Sequence, residues 1–205
     1  MKPAEVILVN AGTGNLHSVR NALEKCGCRP IDTSDAETVR RGGRIVLPGV
    51  GAFARFMAGL RQFDLIDALQ EAVCRGDPLL GICVGMQAFF EFSEEMGFHD
   101  GLGYLAGSVI RFPNRAGLKV PHTGWNQLHR NHESALFNGL KDGSFAYFNH
   151  SYYCAASDTA DILAMTDYGI NFSSMVQHKN IYGVQFHPEK SQKVGLKILE
   201  NFLSL

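Results

Sequence analysis

The sequence predicts an α/β protein: a mixed, mostly parallel central sheet with helices on both faces and antiparallel additions. Three observations carry this. Short apolar runs alternate with helix-period segments through the first half, as parallel strands and their covering helices require. The run over 44–48 breaks at Pro48-Gly49, where a strand turns into a connection. The second half changes to closely spaced strand patterns joined by short turns, which suits antiparallel pairing.

In chain order, Glu5 to Val9 reads as a buried strand, followed by Leu16, Val19, Leu23 and Cys26 at helical spacing, with Gly27 as the stop. Arg44 to Pro48 is a second strand. Asp64 is placed to cap a helix whose apolar stripe is Leu65, Ile66, Leu69 and Val73. Pro78 to Ile82 is a third strand, with Val84 to Phe92 expected as the helix behind it. Strands are then expected over 109–112, 145–153, 162–166, 173–178 and 181–186, with Lys179-Asn180 as a hairpin turn. A helix over 193–203 closes the chain. No repeat or low-complexity tract divides these elements, so one domain over 1–205 is expected.

Composition narrows the function. The chain has 205 residues, 45% of them hydrophobic, and balances 19 basic against 20 acidic side chains for a net charge of −1. That balance argues against a nucleic-acid partner and against polybasic attachment to a membrane. Mean hydropathy of −0.05 excludes disorder, and no apolar run is long enough to span a bilayer. The opening Met1-Lys2-Pro3-Ala4 lacks a signal-peptide pattern, which makes a cytoplasmic location the expectation. The five cysteines are then expected as reduced thiols. Cys26-Gly27-Cys28 lacks the spacing of a zinc pair, and His129 and His132 read as part of a solvated loop, so no metal is expected.

Gly81-Ile82-Cys83-Val84-Gly85 is the most informative stretch. A buried strand enters a G-x-C-x-G turn and then a helix, the arrangement of a nucleophile elbow. Cys83 would stand at the helix N-terminus, where backbone N–H groups favour a thiolate. A structural cysteine between packing glycines is the other reading of these residues alone. His187-Pro188-Glu189 ends a later strand; Pro188 keeps His187 extended, so Glu189 can accept the imidazole N–H. A surface turn would look the same in isolation. Pro48-Gly49-Val50-Gly51 follows another strand with residues small enough to bring backbone N–H groups to a developing oxyanion. Gly12-Thr13-Gly14 lacks the third glycine of a dinucleotide loop.

Taken together, Gly81-Ile82-Cys83-Val84-Gly85-Met86-Gln87 and Gly183 to Ser191 resemble the two signatures of the triad-type (class I) glutamine amidotransferases, with their flavodoxin-like fold. Gly14-Asn15-Leu16, the Pro48 to Phe53 loop, Val120 to Asn126 and His150 to Tyr153 are similar to segments of the glutaminase subunits of imidazole glycerol phosphate synthase, over essentially the whole chain. The pattern departs from that family at Asn10, Ala11, Thr123 and Asn149.

The resemblance implies attack of Cys83 on the side-chain amide of glutamine, with His187 as proton carrier and Glu189 as its orienting carboxylate. It implies oxyanion donors from Gly49, Val50, Gly51 and Val84, and a glutamine pocket lined by Gln87, Glu95, His150, Ser151 and Tyr152. No cofactor is implied. The partner implied is a (β/α)8-barrel cyclase, docked as a heterodimer against His122, Trp125, Asn126 and Lys190. Trp125 could equally fill a core. A paralogous glutaminase for sugar amidation, a γ-glutamyl hydrolase and an elbow-cysteine stress protein share parts of the pattern. The stress protein has no reason to keep His187-Pro188-Glu189, and a γ-glutamyl hydrolase should lack the Pro-His-x-Gly-Trp-Asn segment; the departures leave the paralogous glutaminase open.

Overall fold

The computed structural model describes residues 4–205; the first three residues of the opening segment lie outside the described residues. Its strands are β1 (Glu5–Val9), β2 (Arg29–Thr33), β3 (Ile45–Gly49), β4 (Leu79–Cys83), β5 (Phe90–Ser93), β6 (His99–Asp100), β7 (Leu105–Arg111), β8 (His122–Arg130), β9 (Ser144–His150), β10 (Tyr152–Ala156), β11 (Ile162–Asp167), β12 (Asn171–His178) and β13 (Ile181–Val184). The helices are α1 (Leu16–Lys25), α2 (Ala36–Arg40), α3 (Phe53–Gln62), α4 (Leu65–Arg75), α5 (Val84–Gln87) and α6 (Gln192–Leu203).

The order β2-β1-β3-β4-β13 is parallel throughout. It is the flavodoxin order, in which ligands collect at the carboxyl ends of the strands. β12, β10, β7, β5 and β6 extend the sheet, mostly antiparallel, while β11, β8 and β9 branch from β12. Of the parallel strands, β3, β4 and β13 are buried on both faces, which is why they read as unbroken apolar runs. The core between sheet and helices is closed by Phe53, Phe56, Phe89, Phe186 and Phe202, all fully buried.

The expected alternation stands, but several elements differ from the sequence reading. β2, α2 and α3 lie between the expected elements; Pro30 hides β2, while α3 has a plain helical stripe at Phe53, Phe56, Met57 and Leu60. The helix expected over 84–92 ends at Gln87, because Phe90-Glu91-Phe92-Ser93 turns to pair with β7 as a strand. The strand expected over 145–153 breaks at Ser151: β9 pairs with β8, and β10 crosses to β7 and β12. Asp64 stands before α4 at a left-handed φ of 52°, and its side chain makes no capping hydrogen bond. α1 is capped by Asn15, whose Oδ1 accepts from the Ser18 amide. Among the described residues, no helix is long and apolar enough to cross a membrane.

Candidate active site

The register of the parallel strands assembles the site. Gly49 pairs with Cys83 across β3 and β4, and Gly183 pairs with Gly81 across β13 and β4. The ends of three neighbouring strands therefore bring the Pro-Gly-x-Gly loop, the cysteine and the His-Pro-Glu turn to one edge. Cys83 sits at φ 55° and ψ −110°, a strained backbone for a residue with a side chain, as an elbow requires. The turn closes only because Gly85 has no side chain: a Cβ there would stand 1.9 Å from the Leu47 carbonyl oxygen. Cys83 is buried and starts α5, whose first amide, that of Val84, has no partner within the helix.

His187 and Glu189 meet as the spacing predicts. Nδ1 of His187 lies 2.9 Å from Oε1 of Glu189, with both side chains almost wholly buried. The turn is locked from two sides. The His187 amide donates to the Tyr147 carbonyl at 2.9 Å, and the Ser191 hydroxyl donates to the His187 carbonyl at 2.7 Å. Burial pushes the imidazole pKa down, but the Cys83 sulfur and the Glu189 carboxylate outweigh it and carry it up to about 10. A protonated imidazole is the form that can hand a proton to a leaving amine.

A cavity of about 430 Å³ opens over Cys83. Of the expected oxyanion and glutamine residues, Val50, Gly51, Val84, Gln87, Glu95, His150, Ser151 and Tyr152 line it, together with Cys83 and His187. Gly49 lies just behind, at the end of β3. Glu95 also serves the fold, because its Oε2 accepts the Phe53 amide at 2.6 Å and so caps α3, where Ala52 offers no side chain. Gln87 is buried, and its amide nitrogen donates to the Tyr152 carbonyl at 3.0 Å and to Gln185 Oε1 at 3.1 Å. Lys190, Pro121, Asn15 and Asn149 complete the rim.

The four residues expected at a partner contact separate into two groups. Trp125 is 46% exposed and meets the Tyr147 ring edge-on at 5.9 Å; it is no core residue. Lys190 is exposed, with its ammonium 5.8 Å from the Tyr147 ring centre. His122, by contrast, is only 2% exposed, so it cannot itself be a contact residue. It stacks on Tyr168 at 3.9 Å, and its Nδ1 lies 3.0 Å from Nε2 of His150. Asn126 is half-buried and donates to the Asp167 carbonyl at 2.8 Å. Spacing alone did not reveal that β8 points His122 inward and Trp125 outward. Burial holds His122 down at about pKa 4. It holds His150 at about 3, aided by its histidine neighbours and against a hydrogen bond to the Tyr152 carbonyl. Two departures from the family pattern prove to be one: Thr123 and Asn149 face each other across β8 and β9, joined by a 3.1 Å hydrogen bond.

Cys154 and Cys28 are buried, and among the described residues no thiol besides Cys83 lines the cavity. His129 lies on β8 rather than in a loop, exposed and 3.9 Å from Asp142.

Known proteins agree with this geometry. The class-I glutamine amidotransferase family matches residues 7–205. An imidazole glycerol phosphate synthase subunit HisH from Bacillus cereus is 44% identical over 197 residues, covering 96% of this chain and 93% of its own. The subunit of the same description from Desulfitobacterium hafniense is 48% identical over 196 residues, covering 95% and 92%. A crystal structure described as a glutamine amidotransferase has a TM-score of 0.75 at 19% identity, covering 97% of this chain and 99% of its own, a likeness of fold alone. The chain belongs to the class-I glutamine amidotransferases, in the branch that holds the HisH subunits of imidazole glycerol phosphate synthase.

Proposed function

We propose that this chain is the glutaminase subunit of imidazole glycerol phosphate synthase, releasing ammonia from glutamine for histidine biosynthesis. One observation carries the reading: a cysteine on a strained elbow and the imidazole of a buried His187–Glu189 pair line one cavity of about 430 Å³.

The sulfur of Cys83 attacks the amide carbon of the glutamine side chain, forming the C–S bond as the carbonyl π electrons move to oxygen. The Val84 amide and the amide of Gly51 are the donors for that oxygen. His187 then passes its proton to the nitrogen, the C–N bond breaks, and ammonia leaves a glutamyl thioester. Water, deprotonated by His187, attacks the thioester; the C–S bond breaks to release glutamate, and His187 returns the proton to the sulfur. Glu189 accepts the imidazole N–H in both halves, which keeps the other ring nitrogen aimed at the sulfur.

Ammonia is largely protonated at neutral pH and then no nucleophile, so it must pass to its acceptor without meeting bulk water. We infer a (β/α)8-barrel cyclase as the receiving partner, docked on the face of Trp125 and Lys190. That face joins the site directly, since Trp125 packs on Tyr147 and the Tyr147 carbonyl holds the His187 amide. Gly51 has a φ of 86°, and as a glycine it can take more than one backbone orientation. Docking that turns this peptide toward the cavity switches the glutaminase on; an aligned oxyanion donor is worth about 10²–10³ in rate.

The test is glutamate production by the lone chain and by the pair with cyclase and its nucleotide substrate present. The pair should be faster by about two orders of magnitude. Cys83→Ala should abolish glutamine-driven turnover while added ammonium still feeds the cyclase. Glutamine turnover by Cys83→Ala would refute the mechanism.

A further inference from the structure

The mechanism leaves one group at the nucleophile unused. Gln185, in the link between β13 and the His-Pro-Glu turn, is fully buried, and its side-chain nitrogen lies 3.7 Å from the Cys83 sulfur. A buried amide needs a structural reason, since burying one without partners is costly. Backbone pairing does not supply it, because the Gln185 main chain already donates to the Ser174 carbonyl at 2.9 Å. The side chain is held for something else.

Its orientation follows from its neighbours. The Tyr152 carbonyl can only accept, so the Gln87 side chain must present its nitrogen there, at 3.0 Å. The same nitrogen then donates its other hydrogen to Gln185 at 3.1 Å, which must answer with its oxygen. Gln185 is left with its N–H₂ toward Cys83. His150 ends the series by donating from Nδ1 to the second lone pair of the Tyr152 carbonyl, at 2.7 Å. A flip of either glutamine would set nitrogen against nitrogen or oxygen against oxygen, so one backbone carbonyl fixes the donor at the sulfur.

We propose that Gln185 is a positioning residue of the nucleophile: its N–H₂, locked through Gln87 to the Tyr152 carbonyl, donates to the Cys83 sulfur. The donor favours the sulfur as an anion and holds it toward the cavity. The charged and titratable groups about the sulfur are then His187, with Glu189 behind it, and the buried thiol of Cys154, with neutral His150 farther along the chain. Among these, Gln185 adds a hydrogen-bond donor that carries no charge. The inference rests on Cys83 being the nucleophile.

The experiment is the pH profile of iodoacetamide alkylation at Cys83, read by mass spectrometry of the chain. Gln185→Met keeps the shape and removes the donor. The pH of half-maximal alkylation should rise by about one unit, the lower bound for a hydrogen bond to a charged group. Gln185→Glu, which sets a bare oxygen at the sulfur in alkaline solution, should move it at least as far and covers the case in which the methionine variant does not fold. An unchanged midpoint in either folded variant overturns the proposal, because a packing role would leave the midpoint in place. Cys83→Ala separates the two readings. If it still turns over glutamine, the nucleophile assignment itself fails; if it is dead while Gln185→Met alkylates as wild type, only Gln185 loses its role.

Discussion

Acid should weaken this fold well above the range where carboxylates titrate, because His150 and His122 are buried neutral. Each folded pKa, about 3 and about 4, lies below the ordinary 6.5 that the unfolded chain regains. A histidine depressed in the folded state leaves stability unchanged above pH 6.5. Below it the unfolded chain takes up the proton first, so stability falls with pH until the folded pKa is reached. From pH 7 to pH 5 each group costs about 2 kcal/mol, and some discount for solvent at His122 leaves about 3 for the pair. His187 works the other way. Its folded pKa of about 10 means its contribution is complete below pH 6.5 and is lost as pH rises toward 10. Moving from pH 7 to pH 5 therefore returns about 1 kcal/mol, for a net loss of about 2. Urea unfolding at the two pH values measures it. His122→Phe, which keeps the stack on Tyr168, should shrink the loss by about half. Equal stability at pH 5 and pH 7, within about 0.5 kcal/mol, would show that the two imidazoles are not buried neutral.

Three further outcomes follow from the same geometry. His187→Ala should lower glutamine-dependent kcat nearly as far as Cys83→Ala, since both proton transfers pass through that ring. Glu189→Gln should cost less, about 10²-fold, because the ring remains but its cation loses a buried carboxylate; a loss equal to that of Cys83→Ala would give Glu189 a direct part in the chemistry. Trp125→Ala should weaken complex formation or activation, measured by titrating cyclase against glutamate release, while Cys83 alkylation in the lone chain stays at the wild-type rate.

What the sequence made legible was chemistry carried by neighbours in the chain. The elbow, the His-Pro-Glu turn and the Pro-Gly-x-Gly loop each lie within a few residues, and each sits at the end of a buried apolar strand whose period shows plainly. β8 was not legible, because His122 to Arg130 is polar, half-exposed and without strict alternation, so nothing in it announces a strand. That gap hid the inward turn of His122, a matter of which face of β8 it takes. Phe89 and Phe90 are buried in succession, and such a run suits a helix or a strand alike; only the pairing with β7 decides. Gln185 lies inside the best-recognised motif and still gave no signal, since its partners, Gln87 and Cys83, come from about a hundred residues away.

The two halves of the sheet differ in what they can transmit. The parallel half builds the nucleophile from contacts that leave no slack: a Cβ on Gly85 would overlap the Leu47 carbonyl, and one on Gly195 would overlap that of Pro188, under the catalytic turn. Such packing holds the elbow and the His-Pro-Glu turn each in its own backbone shape. The antiparallel half supplies the outer wall of the cavity and the face of Trp125, and it reaches the nucleophile at two places. One is the Tyr147 carbonyl on the His187 amide; the other runs from His122 through His150 and the Tyr152 carbonyl to Gln87 and Gln185. Both end on groups that orient the sulfur or its base rather than on the elbow. If a partner docks on β8 and β9 as proposed, it would change how well the trio is aimed and which way the Gly51 peptide points, without disturbing the strained turn at Cys83.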